Sequence, residues 1–218
     1  MLSNKFYPNE DEYLSAVAEA LTYEYKSAIA ARLILRIDAP DLALERHISS
    51  HDRPLSEFLT LVDRVINLIN KSIAGLPKER IRLHKCYGNY ESSHDQDVLL
   101  EKTSSHLFDA NVGGFLFLFA NPRHQRELKL YKTFKLKPKQ YLIFGAIDTL
   151  SIFLEHPEVI ADRLELAASF IGEARRIMAG TDCGFDTSAG MGRLTSDIVW
   201  AKLRSLADGA KLASARLL

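Results

Sequence analysis

Apolar positions along the chain follow two alternating rhythms. From residue 10 to residue 29 (EDEYLSAVAEALTYEYKSAI), Leu14, Val17, Ala18, Leu21 and Tyr25 recur at helical spacing, and ARLILRID then reads as a short buried strand ending at Asp38. Pro40 stops it. From Pro54 to Ala74, Leu55, Phe58, Leu59, Val62, Val65, Ile66 and Ile69 mark the apolar side of a second helix, and the strand IRLHKC follows. The alternation continues. A helix over 96–109 precedes GGFLFLFAN, the segment from Pro122 to about Phe134 precedes YLIFGAID, the helix from Pro157 to about Gly172 precedes RIMAGTDCG, and a long helix near 195–215 closes the pattern.

Strands that are apolar on both faces and separated by helices predict parallel βα units, in an open doubly wound sheet or a (β/α)8 TIM-type barrel. Each predicted strand ends in polar residues: Asp38, His84 with Cys86, Asn121, Asp148, and Asp182 with Cys183. Such ends are where (β/α) barrels assemble their sites. About five strands are legible, whereas a closed barrel needs eight, so the barrel is expected to be incomplete. With no short-period repeat, low-complexity stretch or Gly/Ser linker, residues 1–218 read as a single partial barrel domain.

Composition narrows the partners. The 218 residues carry 28 basic and 28 acidic side chains, and this balance has none of the basic footprint of a nucleic-acid binder. No apolar run reaches the roughly 20 residues that span a bilayer, and MLSNKFYPNEDEY lacks the features of a signal peptide, so the cytoplasm is the expected compartment. In that setting the two distant cysteines read as thiols or metal ligands rather than as a staple.

Residues two apart on a strand share a face, so His84 and Cys86 point the same way, roughly 7 Å apart at the backbone. A lone pair of this kind is more often buried structure than a ligand set. Cys183 changes the weighing, because curling of the sheet brings the end of the last strand toward the same rim. Imidazole and thiolate suit Zn²⁺, and a catalytic zinc keeps three protein ligands with a fourth position open.

The blocks RIDAPDLA (36–43), RLHKCYGNYESSHDQD (82–97), FANPRH (119–124), FGAIDTLSIFLEHPEVIADR (144–163), AGTDCGFDTSAG (179–190) and WAKLRSLADGAKLAS (200–214) resemble the catalytic domain of cobalamin-independent methionine synthases, in their short single-domain "methionine synthase II" branch. The resemblance implies a zinc-dependent transfer of a methyl group from a folate-type donor to the thiol of homocysteine, forming methionine. It implies His84, Cys86 and Cys183 as zinc ligands and Asp38 as a contact for the amino group of the amino-acid substrate. Asp148 and Arg123 are further candidates for substrate contact. Each also has a structural reading: Asp38 and Asp148 as hydrogen-bonding groups at βα turns, Asn121 and Pro122 as the start of a helix, Arg123 as part of it. Asp182 fixes the turn that presents Cys183, or touches substrate. His94 and His124 read as ordinary loop and helix-start histidines, and Tyr87, Gly88 and Asn89 as a turn that holds the HxC pair.

Three departures from the family pattern qualify these implications. Relatives usually carry a further zinc-ligating glutamate in the strand before ANPRH, where this chain has Leu118, which leaves three ligands, enough for a catalytic zinc but weaker by one charged oxygen unless Glu91 or a water substitutes. After Asp148 stand Thr149, Leu150 and Ser151, where full-length synthases place a histidine. Family members are also longer, by about three βα units at the N-terminal side. A complementary chain completing the barrel, self-association of the half-barrel, and a truncated copy without activity are the competing expectations. A zinc-thiolate alkyltransferase that opens epoxides is a further alternative.

Overall fold

The chain enters its first helix through a cap in which the Asn9 side chain accepts the Glu12 backbone N–H and donates to the Glu12 carboxylate, both at 2.9 Å. This satisfies one free donor of the first turn. The computed structural model describes residues 4–48, 50–89, 93–186 and 194–218. Its elements alternate as the pattern predicts: α1 (Glu10–Ala30), β1 (Leu35–Asp38), α2 (Leu44–Ile48), α3 (Leu55–Ser72), β2 (Ile81–His84), α4 (Leu100–Leu107), β3 (Gly114–Leu118), α5 (Pro122–Gln125), β4 (Tyr141–Ile147), α6 (Pro157–Ile171), β5 (Ile177–Thr181) and α7 (Ser196–Leu217).

All four strand pairs are parallel and the order is β1-β2-β3-β4-β5. A doubly wound sheet would reverse direction at a switch point. Here there is no reversal, so right-handed crossovers lay the helices along one face and leave the other free to curl inward. The curl is strong. In a flat sheet β2 and β5 lie three spacings apart, about 14 Å, yet the sulfurs of Cys86 and Cys183, just beyond their ends, are 3.6 Å apart. That bend is the curvature of a barrel wall.

All five residues of β3 are buried. Phe108, Phe115, Phe117, Phe119 and Phe144 stack or meet edge to face along the sheet. On the helical side α3 contributes Phe58, Val62, Ile66 and Ile69, spaced at helical period as the sequence pattern requires.

Boundaries moved where the chain is needed for something else. The strand predicted over IRLHKC ends at His84, although Lys85 N–H still donates to Leu116 O at 3.3 Å. The helix predicted from residue 96 begins at Leu100, because 94–97 turn back into a buried polar cluster. After the short α5 the chain runs as a 3₁₀ segment from Arg126 to Lys132. Among the described residues, β1 and β5 are open edges; beside them Leu33 and Ile34, and Met178 of β5, are exposed.

A candidate metal centre at the inner strand ends

The three predicted ligands come together. One donor atom each from His84, Cys86 and Cys183 lie within 4.8 Å of one another, and all three side chains are buried. Two sulfurs bound to one tetrahedral zinc at 2.3 Å stand about 3.8 Å apart, close to the 3.6 Å between these two. Donor type and spacing both fit zinc, with a fourth position left over. Gly88, at φ +93° in the turn that follows, directs its N–H to the Cys86 sulfur at 3.3 Å. The turn reading of Tyr87, Gly88 and Asn89 thus holds, with Asn89 donating to Gly184 O at 2.6 Å and accepting from Thr149 at 2.9 Å.

The two thiols ionise as a pair. Cys183 is pushed down to about 6, chiefly by its hydrogen bond with Cys86, with His84 also favouring the anion. Cys86 is pushed up by that same hydrogen bond and by burial. The site thus holds one negative charge readily, as a metal-binding thiol pair must.

His84 has an oxygen close to each ring nitrogen, but only Nε2 makes a well-directed hydrogen bond. Nδ1 lies 2.9 Å from Asp38 Oδ1, and Nε2 lies 3.1 Å from the Asp182 carbonyl. A metal would replace one of these partners and leave the other to fix the ring. Asp38 thus lies against the His84 ring, and His84 is the chief cause of its lowered pKa. It is half exposed, so one side remains open to the rim.

Asp182 acts across two strands. Its carboxylate accepts the N–H groups of Phe119, Ala120 and Asn121 at 2.9, 3.0 and 3.1 Å, tying the end of β5 to the end of β3 over the intervening β4. Burial raises its pKa to about 7 against the pull of these three donors. The crossing is possible because residue 145 in β4 is glycine. A methyl group there would meet the Asp182 carboxylate and stand 2.9 Å from Phe117 O. Nothing in the sequence pattern distinguishes Gly145.

The remaining candidates are spread around the rim. Asp148 accepts from Leu150 N–H at 2.9 Å and lines a narrow cavity of about 20 Å³ together with Tyr87, Leu118, His124, Thr149 and Asp182. Arg123 donates to the Asp95 carbonyl at 2.8 Å, and Asn121 caps α5 through the Arg123 N–H at 2.9 Å. Leu118 is buried beside the site and offers no donor atom. Glu91, the other candidate for that position, lies outside the described residues.

Two residues read as ordinary from the sequence are not. His94 and His124 are buried among carboxylates. His124 Nε2 is 3.0 Å from Asp97 Oδ2 and its Nδ1 is 3.2 Å from Glu127 Oε2, while His94 Nδ1 shares Asp97 Oδ2 at 3.1 Å. Tyr87 stacks on the His124 ring at 3.9 Å and donates to Glu127 at 3.2 Å, and Lys85 donates to the Tyr87 hydroxyl. Burial pushes the Lys85 ammonium down to about 8, with Glu127 and Asp97 opposing. The available signal was the i, i+3 spacing of His94 with Asp97 and of His124 with Glu127.

No protein-family model matches the chain. Among curated proteins, it is 27% identical to YxjH of Bacillus subtilis (strain 168) over 214 residues, 93% of this chain and 54% of that protein. It is 26% identical to YxjG of the same organism over 142 residues, 64% of this chain and 37% of that protein. The chain therefore spans about half, or less, of the length of these relatives. Among solved structures, a B12-independent methionine synthase from Shewanella sp. W3-18-1 in complex with selenomethionine superposes with a TM-score of 0.75 at 22% identity, covering 98% of this chain and 58% of that one. A putative vitamin-B12 independent methionine synthase from Listeria monocytogenes gives 0.64 at 20% identity, covering 93% and 55%. At these identities the likeness is one of fold: the five-stranded sheet has the TIM-barrel-type architecture of those methionine synthase structures.

Proposed function

We propose that the chain carries the thiol-activating site of a methyltransferase of the methionine synthase type, with homocysteine as acceptor and a folate-type methyl donor. The observation that supports this reading is the convergence of His84, Cys86 and Cys183 on one buried point at the inner strand ends. Zinc bound there would supply the Lewis acidity that keeps an incoming thiol as a nucleophilic thiolate near neutral pH. The chain's own residues would supply the rest. Asp38 would orient His84 and present its exposed side to the substrate amino group, while Asp148 and Arg123 are the rim groups available to the remaining polar ends. Holding thiolate and methyl group in line would contribute the larger share of the rate.

Leu118 favours a second reading, a barrel of this type that keeps the metal and has lost transfer. The open edges at β1 and β5 bear on both readings. Exposed apolar side chains flank each edge, Leu33 and Ile34 on one side and Met178 on the other. We propose that further parallel strands, from a complementary chain or a second copy, cover them.

The deciding experiment is elemental analysis of chelator-washed, zinc-reconstituted protein, then methyl transfer from methyltetrahydropteroyl glutamate to homocysteine, read as methionine. About one zinc per chain is expected, falling to near zero in Cys86→Ser. A parent chain without zinc would remove the basis of the proposal. Zinc retained without methionine formation, also after mixing with a complementary chain, would leave the second reading.

A further inference from the structure

Behind the thiol site lies a buried cluster of charged side chains, in which Asp97 Oδ1 has no hydrogen-bond partner among the described residues. Its centre is His124, with one carboxylate oxygen facing each ring nitrogen: Asp97 at 3.0 Å and Glu127 at 3.2 Å. A neutral imidazole has one N–H, so its other nitrogen would direct a lone pair at a carboxylate across about 3 Å. Both acids have reasons to stay ionised. Glu127 accepts from the Leu100 N–H at 2.8 Å and from the Tyr87 hydroxyl, and Asp97 also faces His94. Hydrogen bonds to Asp97 and Glu127 outweigh burial in raising the His124 pKa, and those from His124 and His94 outweigh burial in lowering that of Asp97 to about 2. The cluster does not resemble a metal site, because the two nitrogens of His124 point to different carboxylates rather than to one centre.

We propose that His124 is a buried imidazolium clamped between Asp97 and Glu127, and that this clamp positions Cys86 by fixing the strand extension on which it sits. The connection is short. Lys85 and Tyr87, the two chain neighbours of Cys86, both end in the cluster: Tyr87 stacks on His124 and donates to Glu127, and Lys85 donates to Tyr87 with its ammonium 4.1 Å from the ring centre. The groups that face the clamp are Asp97 and His94 from the segment before α4, Glu127 from the 3₁₀ segment, Lys85 and Tyr87 from the end of β2, and Arg123 from α5, with His47 of α2 beside His94 and with Asp148 and Asp182 across the narrow cavity that His124 also lines. His124 is a positioning residue: it acts on the thiol through Tyr87 and the backbone. This inference does not depend on the methyltransferase reading, since it concerns the metal-free chain.

Two measurements on the full metal-free chain test it. ¹⁵N spectra of the imidazoles should show both His124 nitrogens protonated at a pH where an ordinary histidine, near 6.5, has lost its charge. One protonated and one bare nitrogen at neutral pH would mean a neutral ring, and would overturn the clamp. Alkylation of Cys86, followed by peptide mass spectrometry so that Cys183 is read separately, tests positioning. His124→Gln should speed it roughly ten-fold, the scale of one lost buried charge-assisted hydrogen bond. Adding Asp97→Asn should recover part of that loss, because a neutral amide then faces a neutral amide, whereas simple loss of packing would make the double variant worse. Asp97→Asn alone, milder at the ring, guards against misfolding of the first variant. Unchanged Cys86 reactivity in both folded single variants would also overturn the proposal.

Discussion

Four consecutive residues, 84 to 87, divide the molecule into two unlike regions. His84 and Cys86 point inward to meet Cys183; Lys85 and Tyr87 point outward to Glu127 and His124. The inner set is built from groups with a valence to spare, two sulfurs and an imidazole 4.8 Å or less apart. The outer set is a chain of hydrogen bonds linking Lys85, Tyr87, Glu127, His124 and Asp97 in turn. One alternating stretch of backbone thus serves a thiol site on one side and a hydrogen-bonded charged cluster on the other. The physical lesson is a division of labour: stability should reside in the outer region, chemistry in the inner one.

The sharpest way to break that division is to remove an outer carboxylate. Glu127→Ala would leave two buried cations facing one acid, and loss of one partner of a buried ionic network costs about 3–5 kcal/mol. Urea unfolding of the metal-free protein should show it. Gly145→Ala comes next. A methyl at this position meets Phe117 O and the Asp182 carboxylate, so the β5-to-β3 tie must shift, at roughly 2–3 kcal/mol of overpacking. This change attacks the frame of the inner region, and it should also lower zinc retention, which Glu127→Ala affects only through Cys86.

These two positions mark what the sequence did and did not make legible. The βα alternation and the five strands follow from local periodicity, and the three ligands follow from residue type plus the parallel frame. Asp38 and Asp182 were recognisable as strand-end acids. Their partners were not, because the His84 contact and the three N–H groups of the β3 end are set by register across strands. His94 and His124 do lie in a loop and at a helix start, but they are not ordinary for the same reason: each is unremarkable in its own segment and comes to lie buried against carboxylates only when the segment before α4, α5 and the end of β2 converge. Lys85 was the overlooked clue. Alternation around His84 and Cys86 sends a lysine into a buried layer, and a buried lysine demands a carboxylate.

A smaller effect distinguishes the regions by pH. Asp97 has its pKa lowered to about 2, so its contribution is present above the ordinary carboxylate value and is lost as pH falls through the folded value. A shift from the usual 3.8 corresponds to about 2 kcal/mol by linkage. His124 has its pKa raised, so its contribution is full below about 6.5 and is lost as pH rises through its folded value. The contribution of the Asp97–His124 pair should therefore be largest between about 4 and 6.5 and decline on both sides; it is read as the difference between the parent chain and Asp97→Asn, because Asp182, raised to about 7, removes stability over the same range in both proteins. In Asp97→Asn the acid limb should flatten. A decline of equal steepness in the variant would place the titrating acid elsewhere.

The smallest expected change is at the inner sulfur. Cys183→Ala removes one buried sulfur that bonds to nothing the frame depends on, and in the metal-free protein it should cost about 1 kcal/mol or less. Zinc should then separate the two proteins. A ligand that binds only the folded state stabilises it by RT ln(1 + [L]/Kd), about 2.7 kcal/mol at a hundred-fold excess over Kd. The parent chain should gain a higher melting temperature as free zinc is raised, and Cys183→Ala should gain little, because only His84 and Cys86 remain. Were the variant as unstable without metal as Glu127→Ala, the thiol pair would be part of the frame, and the contrast between the two sides of residues 84 to 87 would fail.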